Sequence, residues 1–311
     1  MTGACALCQI CYYQCPQVEF QGADAEAYAY GRQRSDAEQL GVVRGMFVGR
    51  ALNEAILKNA QDGGAVSAIL SYMLDEKLIG AAVVTSRDSM WKPQPVVVTD
   101  SSKLSEVAGT KYTTSPTLLG VESAVSDYGK TAVAMVGTPC QVRAVRRIQT
   151  SPFGNRRLAE AVRMVIGLFC MESYSYDKLF GGFLALKGID PSAVARTSIK
   201  KGSFIVVDPN GIELLHVPLR EIGSFVRQSC WQCTDFTAEY ADISVGGVGC
   251  PAGYSTIVVR SEGGERMVRE AVAAGYLEVK ELAPESKGSL KVLNMTHAKR
   301  QRVTGSSSGS P

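Results

Sequence analysis

The chain has 311 residues, of which 45% are apolar, and this is enough for one large domain or two compact domains with a buried core. Its net charge of +3 is too small to favour nucleic acid as a partner, although a local basic patch could still bind an anionic small molecule. The sequence contains no export signal and no stretch approaching the ~20 apolar residues that span a bilayer. We therefore expect a cytoplasmic protein that reaches a membrane only through a partner.

The amino-terminal half predicts alternating helices and strands. Residues 21–45 are polar and alanine-rich, which indicates a linker with one short helix. After Asp62-Gly63-Gly64, apolar residues recur at helical spacing and predict a helix that ends near Lys77. The further elements predicted here are strands at 80–85, 95–99 and 131–136, a helix at 115–128, and a basic helix at 141–148.

The carboxy-terminal half predicts the same alternation with one antiparallel element. Asp208-Pro209-Asn210-Gly211 separates two β-rich runs and predicts a hairpin. The other predicted elements are strands at 164–169, 243–245 and 256–259, and helices at 176–187 and 264–274. The pattern indicates an α/β fold with mixed α+β elements. Residues 291–311 are basic and then Ser/Gly-rich, and we expect them to form a disordered tail.

Nine cysteines are many for a chain without a secretory signal, where disulfides are not expected and metal ligation is favoured. Cys5, Cys8, Cys11 and Cys15, followed by Pro16, form the C-x2-C-x2-C-x3-C-P signature of a bacterial ferredoxin. Zinc is the alternative, because C-x2-C pairs also bind zinc. A two-cluster ferredoxin carries two such runs, so we expect residues 1–20 to be a partial ferredoxin-like segment. Which cluster Cys15 would ligate stays open.

Four dispersed cysteines form a second candidate site. Cys140 lies at a strand-to-helix turn, Cys170 ends a predicted strand, and Cys230 and Cys233 form a C-x2-C hook. Strand ends of an α/β sheet converge at one edge, so these residues can supply the four thiolates of a [4Fe–4S] cluster. The alternative is that they are packed as small apolar side chains, which is the reading we prefer for Cys250.

Several ordered motifs are shared with one known family. They are Ala60-Gln-Asp-Gly-Gly64, Trp91-Lys-Pro93, Ala108-Gly-Thr-Lys-Tyr112, Gly137-Thr-Pro-Cys-Gln141, Ile166-Gly-Leu-Phe-Cys-Met-Glu172, Cys230-x-x-Cys-x-Asp235 and Ala241-Asp-Ile-Ser-Val-Gly246. Over about residues 45–282 the chain resembles the coenzyme F420 hydrogenase/dehydrogenase beta-subunit family. The amino-terminal cysteine run looks more like the dehydrogenase and sulfite-reductase branch. By this resemblance, residues 46–290 are expected to form the core, and the chain to begin partway through a ferredoxin domain.

The resemblance implies one FAD and one [4Fe–4S] cluster in the core, with the four dispersed cysteines as cluster ligands. The matching flavin-binding candidates are Asp62, Gly63, Gly64, Lys92, Gly109, Thr110, Lys111, Tyr112 and Thr113. Glycine lets backbone N–H groups approach a phosphate, and a helix N-terminus favours an anion. Without the resemblance, Gly63-Gly64 reads as an ordinary loop and Lys111 as a surface lysine. Lys201, with Lys200, is a candidate contact for the anionic tail of coenzyme F420, the alternative being a solvated turn.

The implied activity is hydride transfer between coenzyme F420 and FAD, followed by single-electron transfer through clusters to a partner protein. No catalytic side chain is assigned, because the protein would only position the cofactors and tune their electrostatics. The implied partners are a hydrogenase, a formate dehydrogenase, a heterodisulfide reductase or a membrane dehydrogenase complex of methanogenesis. The alternatives are an iron–sulfur protein without flavin and a related reductase with another substrate. Cys250 and Ala252 stand where relatives often carry serine and an acidic residue, which is a departure from the family pattern.

Overall fold

The computed structural model describes residues 12, 15, 18 and 20–306. The strands are β1 (Gly45–Ala51), β2 (Ala81–Arg87), β3 (Pro93–Val98), β4 (Val133–Gly137), β5 (Val162–Leu168), β6 (Arg196–Lys200), β7 (Ser203–Val207), β8 (Glu213–Pro218), β9 (Ile243–Gly246), β10 (Ser255–Val259) and β11 (Leu277–Glu281). The α-helices are α1 (Gly22–Tyr30), α2 (Glu54–Asn59), α3 (Ala65–Asp75), α4 (Thr117–Ser126), α5 (Pro139–Thr150), α6 (Arg156–Ala161), α7 (Leu219–Ile222), α8 (Glu262–Ala273) and α9 (Lys287–Ser306). Asp177–Leu184 is a π-helix.

The main sheet has eight strands in the order β11-β1-β10-β9-β5-β4-β2-β3. The central strands β2, β4, β5 and β9 are parallel to their neighbours in this group, so their carboxyl ends share one edge of the sheet. The remaining strands pair antiparallel on both sides. This confirms the predicted α/β class with mixed elements.

Helices cover both faces of the main sheet. Along β2, Ala82 and Val84 pack with α2, α3 and α8 on one face, while Val83 packs with α4, α5 and α6 on the other. This alternation follows from the two-residue period of a strand. Fully burying one such Val or Leu side chain contributes roughly 1.5–3 kcal/mol. The result is a three-layer core whose loops meet at the edge formed by the carboxyl ends of the parallel strands.

The predicted hairpin belongs to a separate three-stranded antiparallel sheet, β6-β7-β8. Its turn is closed by the carboxylate of Asp208, whose Oδ1 accepts from the backbone N–H groups of Asn210 and Ile212 at 2.9 and 2.7 Å. The sheet shares a core with the π-helix, which occupies the middle of the helix predicted at 176–187. β6 was not predicted, and its side chains prove important for the candidate site.

Helix α9 corrects the predicted boundary between core and tail at residue 290. The helix runs across that position, and Val292, Thr296 and Lys299 are at most 1% exposed. Residues 291–303 are therefore part of the packed structure, α9 ends at Ser306, and the Ser/Gly-rich residues after it lie outside the described part of the chain. Strands β1 and β11, which pair with each other, were also missed. Within the described residues, no helix has the length and apolar character needed to cross a membrane.

Candidate functional site

Cys140 lies in the first turn of α5, immediately beyond the carboxyl end of β4. The helix begins with a capping box in which the side chain of Gln141 accepts from Thr138 N at 2.8 Å. Pro139 fits the first helical position because its missing N–H is not needed there. Cys140 therefore lies at the amino-terminal, positive end of the helix dipole.

The structure brings the other three cysteines to the same place. Cys170 follows β5, and Cys230 and Cys233 come from a short 3₁₀ turn at Gln228–Gln232 and its end. Burial raises the pKa of the Cys170 thiol to about 12, and the other three thiols act in the same direction. All four are free, partly buried thiols.

Four thiols are the number of ligands that a [4Fe–4S] cluster requires. Within the described part of the chain, no group of three or more His, Cys, Asp or Glu side chains is arranged around one metal ion. In a [4Fe–4S] cluster each thiolate binds a different iron, so the four thiols stand further apart than ligands of one ion. Four free thiols that converge without surrounding a single ion are compatible with a cluster in which each thiolate binds a different iron. The run Cys5, Cys8 and Cys11 lies outside the described residues.

Two cations of α9 hold the cysteine loops by their backbone. Lys299 Nζ donates to Cys170 O at 2.5 Å and to Asp235 O at 2.8 Å. Arg302 Nη2 donates to Cys230 O at 2.9 Å. Sequence reasoning missed both residues because it assigned them to a tail. Residues 292, 296 and 299 form the buried face of this helix, but only residue 292 is apolar, so the sequence carried no apolar signal for it.

Gly63 is required by the packing of the sheet. An added Cβ would lie 2.6 Å from Gly49 O and 2.7 Å from Ser255 N. Its N–H donates to Ser255 Oγ at 3.1 Å and its carbonyl accepts from Ala51 N at 2.7 Å. The N–H of Gly63 is therefore engaged within the protein instead of pointing at a phosphate. Gly64 begins α3 with a φ of 69°, a left-handed conformation that favours glycine.

Asp62 lies at the carboxyl edge of the main sheet, with its carboxylate against Gly247 just after β9. Burial raises its pKa, and Lys200 and Arg196 act in the opposite direction. The guanidinium of Arg196 also donates to the backbone carbonyl of residue 60 at 3.1 Å. Arg196 therefore belongs to this region, although sequence reasoning missed it with β6. Lys201 lies in the exposed turn between β6 and β7, in a left-handed conformation with a φ of 49°.

Lys111 holds the loop of the second predicted flavin segment, residues 109–113, through hydrogen bonds to backbone carbonyls. Its Nζ donates to the carbonyls of Val107, Ala108 and Gly109 at 2.7, 3.1 and 2.8 Å. Burial lowers its pKa to about 8, and Arg87 acts in the same direction. Lys111 is 8% exposed, so the alternative of a surface lysine is wrong. The side chain instead stabilises the loop from the inside.

Strand β6 also holds the rest of that segment. Tyr112 Oη accepts from Ile199 N at 3.0 Å, and Thr110 O accepts from Thr197 Oγ1 at 3.0 Å. Burial raises the pKa of Tyr112 to about 12, and Asp62 adds to this rise. The segments around 62 and 112 are therefore neighbours. Lys92 is exposed and immediately precedes β3 of the main sheet, with its ammonium 5.8 Å from the ring centroid of Tyr176.

Ser173 links Thr114, the residue after the second predicted flavin segment, to the cysteine site. Its hydroxyl lies 3.0 Å from Thr114 Oγ1, and its carbonyl accepts from Cys230 Sγ at 3.8 Å. A second link comes from Gln141, next to Cys140 in the chain, whose Nε2 donates to Ser115 O at 2.7 Å. The two candidate sites therefore share their bordering residues.

Three buried polar atoms along these segments have no hydrogen-bond partner: Gln61 Oε1, Thr113 Oγ1 and Ser115 Oγ. An unsatisfied buried polar group costs roughly 1–3 kcal/mol, so each of these atoms favours a polar ligand. Two cavities lie elsewhere and are lined by none of these residues. One is an apolar cavity of ≈140 Å³ between α4, α5 and α6, and the other is a polar cavity of ≈310 Å³ beside Arg44.

Comparison with known proteins identifies the family of this fold. The family model for the amino-terminal part of the coenzyme F420 hydrogenase/dehydrogenase beta subunit matches residues 46–121, and the model for the carboxy-terminal part matches residues 130–285. The chain belongs to the coenzyme F420 hydrogenase/dehydrogenase beta-subunit family. The matched region of this family contains the four dispersed cysteines and both predicted flavin segments, whereas α9 lies beyond it.

Individual members of the family support the assignment. The beta subunit of the coenzyme F420 hydrogenase of Methanothermobacter thermautotrophicus is 37% identical over 263 residues, which cover 84% of this chain and 92% of that protein. A subunit of the F420H2 dehydrogenase of Methanosarcina mazei is 33% identical, covering 73% of this chain and 64% of that one. A chain in the structure of the F420-reducing [NiFe] hydrogenase complex from Methanosarcina barkeri matches with a TM-score of 0.81 and 31% identity, covering 88% of this chain and 94% of that one. The resemblance stated from the motifs is thereby confirmed.

Proposed function

We propose that the chain is the electron-input or electron-output subunit of an F420-linked oxidoreductase, working in the cytoplasm with partner redox subunits. It exchanges a hydride with coenzyme F420 and single electrons with the partner. The observation that carries this proposal is the shared border of the two sites at Ser173, which contacts both Thr114 and Cys230. Relatives named as F420 hydrogenase and F420H2 dehydrogenase subunits support the choice of coenzyme.

The cluster would be held by Cys140, Cys170, Cys230 and Cys233, and FAD by the predicted segments at residues 62–64 and 109–113. When bound, the flavin exchanges two electrons with a hydride donor and one electron at a time with an iron–sulfur cluster. The chain itself keeps these sites in a fixed relation, because Ser173 and Gln141 hydrogen-bond across their border. Lys111 keeps the second flavin segment closed from within, and Lys92 and Lys201 stay candidate contacts for anionic parts of the ligands.

The amino-terminal cysteines would hold a second cluster on the way to the partner. Arg147 Nη1 donates to Cys15 O at 2.7 Å, which fixes Cys15 beside α5. Arg147 follows Cys140 by seven residues on this helix, a rise of about 10 Å. The residue that ends the ferredoxin-like run therefore contacts a side chain of α5 that begins about two helical turns from Cys140. We propose a hydrogenase, formate dehydrogenase, heterodisulfide reductase or membrane dehydrogenase complex as the partner.

The test is to purify the chain without oxygen, quantify iron and flavin, and mix it with reduced coenzyme F420 in a stopped-flow spectrometer. We expect the flavin absorbance to bleach. A chain that contains iron but no flavin would be a simple electron-transfer protein. A flavin that does not bleach would indicate a reductase for another substrate. Cys233→Ser should remove about four iron atoms per chain, whereas Cys250→Ser, outside the cysteine set, should leave the iron content unchanged.

A further inference from the structure

Lys299 places a buried positive charge beside the four thiols. The side chain is 1% exposed, and its ammonium donates to two backbone carbonyls of the cysteine loops, Cys170 O and Asp235 O. None of the ion pairs in the described part of the chain includes Lys299. Burying an ammonium is costly unless an anion compensates its charge.

The carboxylates near Lys299 have other partners as well, although the Lys299 charge also acts on Asp235 and opposes the rise in its pKa that burial causes. Glu239 forms ion pairs with Arg34 and Arg300, and the carboxylate of Asp235 accepts from the backbone N–H of Glu239. The charged side chains of this network are Glu26, Arg34, Asp235, Glu239, Arg260, Lys299 and Arg300. Four cations against three carboxylates leave one positive charge in excess. The Lys299 ammonium itself lies against the backbone of the two loops that carry Cys170 and Cys233, because it donates to Cys170 O and Asp235 O.

We propose that the Lys299 ammonium compensates the negative charge of the thiolate-bound cluster and thereby raises its reduction potential. This inference rests on the proposed function, because it needs a cluster on the four cysteines. Reduction adds one negative charge, which a fixed neighbouring cation stabilises, so reduction is easier with Lys299 than without it. Lys299 is a positioning residue, since it touches the backbone of the ligand loops and acts on the cluster through charge.

The decisive comparison is Lys299→Met against Lys291→Met in the full chain. Lys291 lies on the exposed side of the same helix, eight residues away, so both variants lose one positive charge from α9. To isolate the core cluster, both are made in a background with Cys5, Cys8, Cys11 and Cys15 changed to serine. Reductive titration followed by electron paramagnetic resonance measures the potential, and iron content is measured on the same samples.

We expect Lys299→Met to shift the reduction equilibrium at least tenfold against the reduced form, which is 59 mV for one electron. Lys291→Met should shift it less than twofold, and Lys299→Arg should restore the parent value. If the parent chain binds no iron, the proposed function itself fails. If iron is bound but Lys299→Met leaves the potential unchanged, this inference fails alone. If Lys299→Met loses its iron, the Lys299→Arg variant decides the question. Lys299→Arg with the iron content and potential of the parent supports the role of the charge. Loss of iron from Lys299→Arg as well overturns the inference.

Discussion

Gly63→Ala tests how the first predicted flavin segment is held. The new Cβ would lie 2.6 Å from Gly49 O and 2.7 Å from Ser255 N, and neither backbone atom can rotate away. Overpacking costs about 1–3 kcal/mol. Moving the loop outward would also strain two hydrogen bonds of Gly63, to Ser255 Oγ and from Ala51 N, each worth about 1 kcal/mol. We therefore expect the free energy of unfolding to fall by about 3–5 kcal/mol.

The measurement is urea denaturation of the variant and the parent, with bound flavin quantified on the same preparations. Gly223→Ala is the matched control, because Gly223 has a φ of −58° and an added Cβ would meet nothing within 4 Å. The control should stay within about 0.5 kcal/mol of the parent. A Gly63→Ala chain that is as stable as the control, with its flavin retained, would refute the argument from close backbone approach.

The remaining predictions concern three other side chains. Lys111→Met removes three hydrogen bonds to loop carbonyls, so flavin affinity should fall at least tenfold. Lys103→Met, at an exposed position, is the control and should leave flavin affinity unchanged. Equal flavin retention in the two variants would show that Lys111 does not hold this loop in place. Arg147→Ala removes the hydrogen bonds from Arg147 to the carbonyls of residues 15 and 18, so limited proteolysis should cleave the amino-terminal segment faster than in the parent. Arg156→Ala is the control and should be cleaved at the parent rate. Equal rates in the two variants would show that these hydrogen bonds do not hold the amino-terminal segment. A hydrogen bond from the Arg32 guanidinium lowers the pKa of Glu38 to about 2. The Arg32–Glu38 contact is therefore fully formed above the ordinary carboxyl pKa of 4.5 and is lost as the pH falls towards 2. A carbon NMR titration of Glu38 with a midpoint near 4.5 would contradict this.

Elements with a clear apolar period were predictable from the sequence. The helical spacing of Val66, Ile69 and Met73 correctly predicted α3, because one face of that helix packs on the sheet. The meeting of Cys140 and Cys170 was predictable for a similar reason. They follow adjacent parallel strands, and the carboxyl ends of such strands share an edge.

Strand β1 could not be found in the same way. It contains Gly45, Gly49 and Arg50, a composition that does not favour a strand. Its partners are β10 and β11, which lie more than 200 residues later in the chain. The close approach at Gly63 depends on this pairing, so a local pattern indicated only a glycine loop, and the packing reason for the glycine came from distant residues.

Helix α9 was missed because its buried face is largely polar. Ser289, Thr296 and Lys299 are buried there together with Val292. Their polar atoms are satisfied by backbone carbonyls, as when Thr296 Oγ1 donates to Val292 O at 3.1 Å. A search for apolar periodicity cannot detect such a face. The same reasoning explains why two of the cations closest to the cysteine loops had no place in the predicted site.

The position of α9 at the end of the described chain has a consequence for how the protein is made. Domains fold as synthesis proceeds from the amino terminus, and α9 is the last described element to leave the ribosome. Lys299 and Arg302 can therefore contact the loops of Cys170 and Cys230 only after all four cysteines of the candidate site have been synthesised. Until then these loops lack those hydrogen bonds. If the four thiols hold the cluster proposed above, we expect this to be the interval in which iron and sulfide reach them most easily.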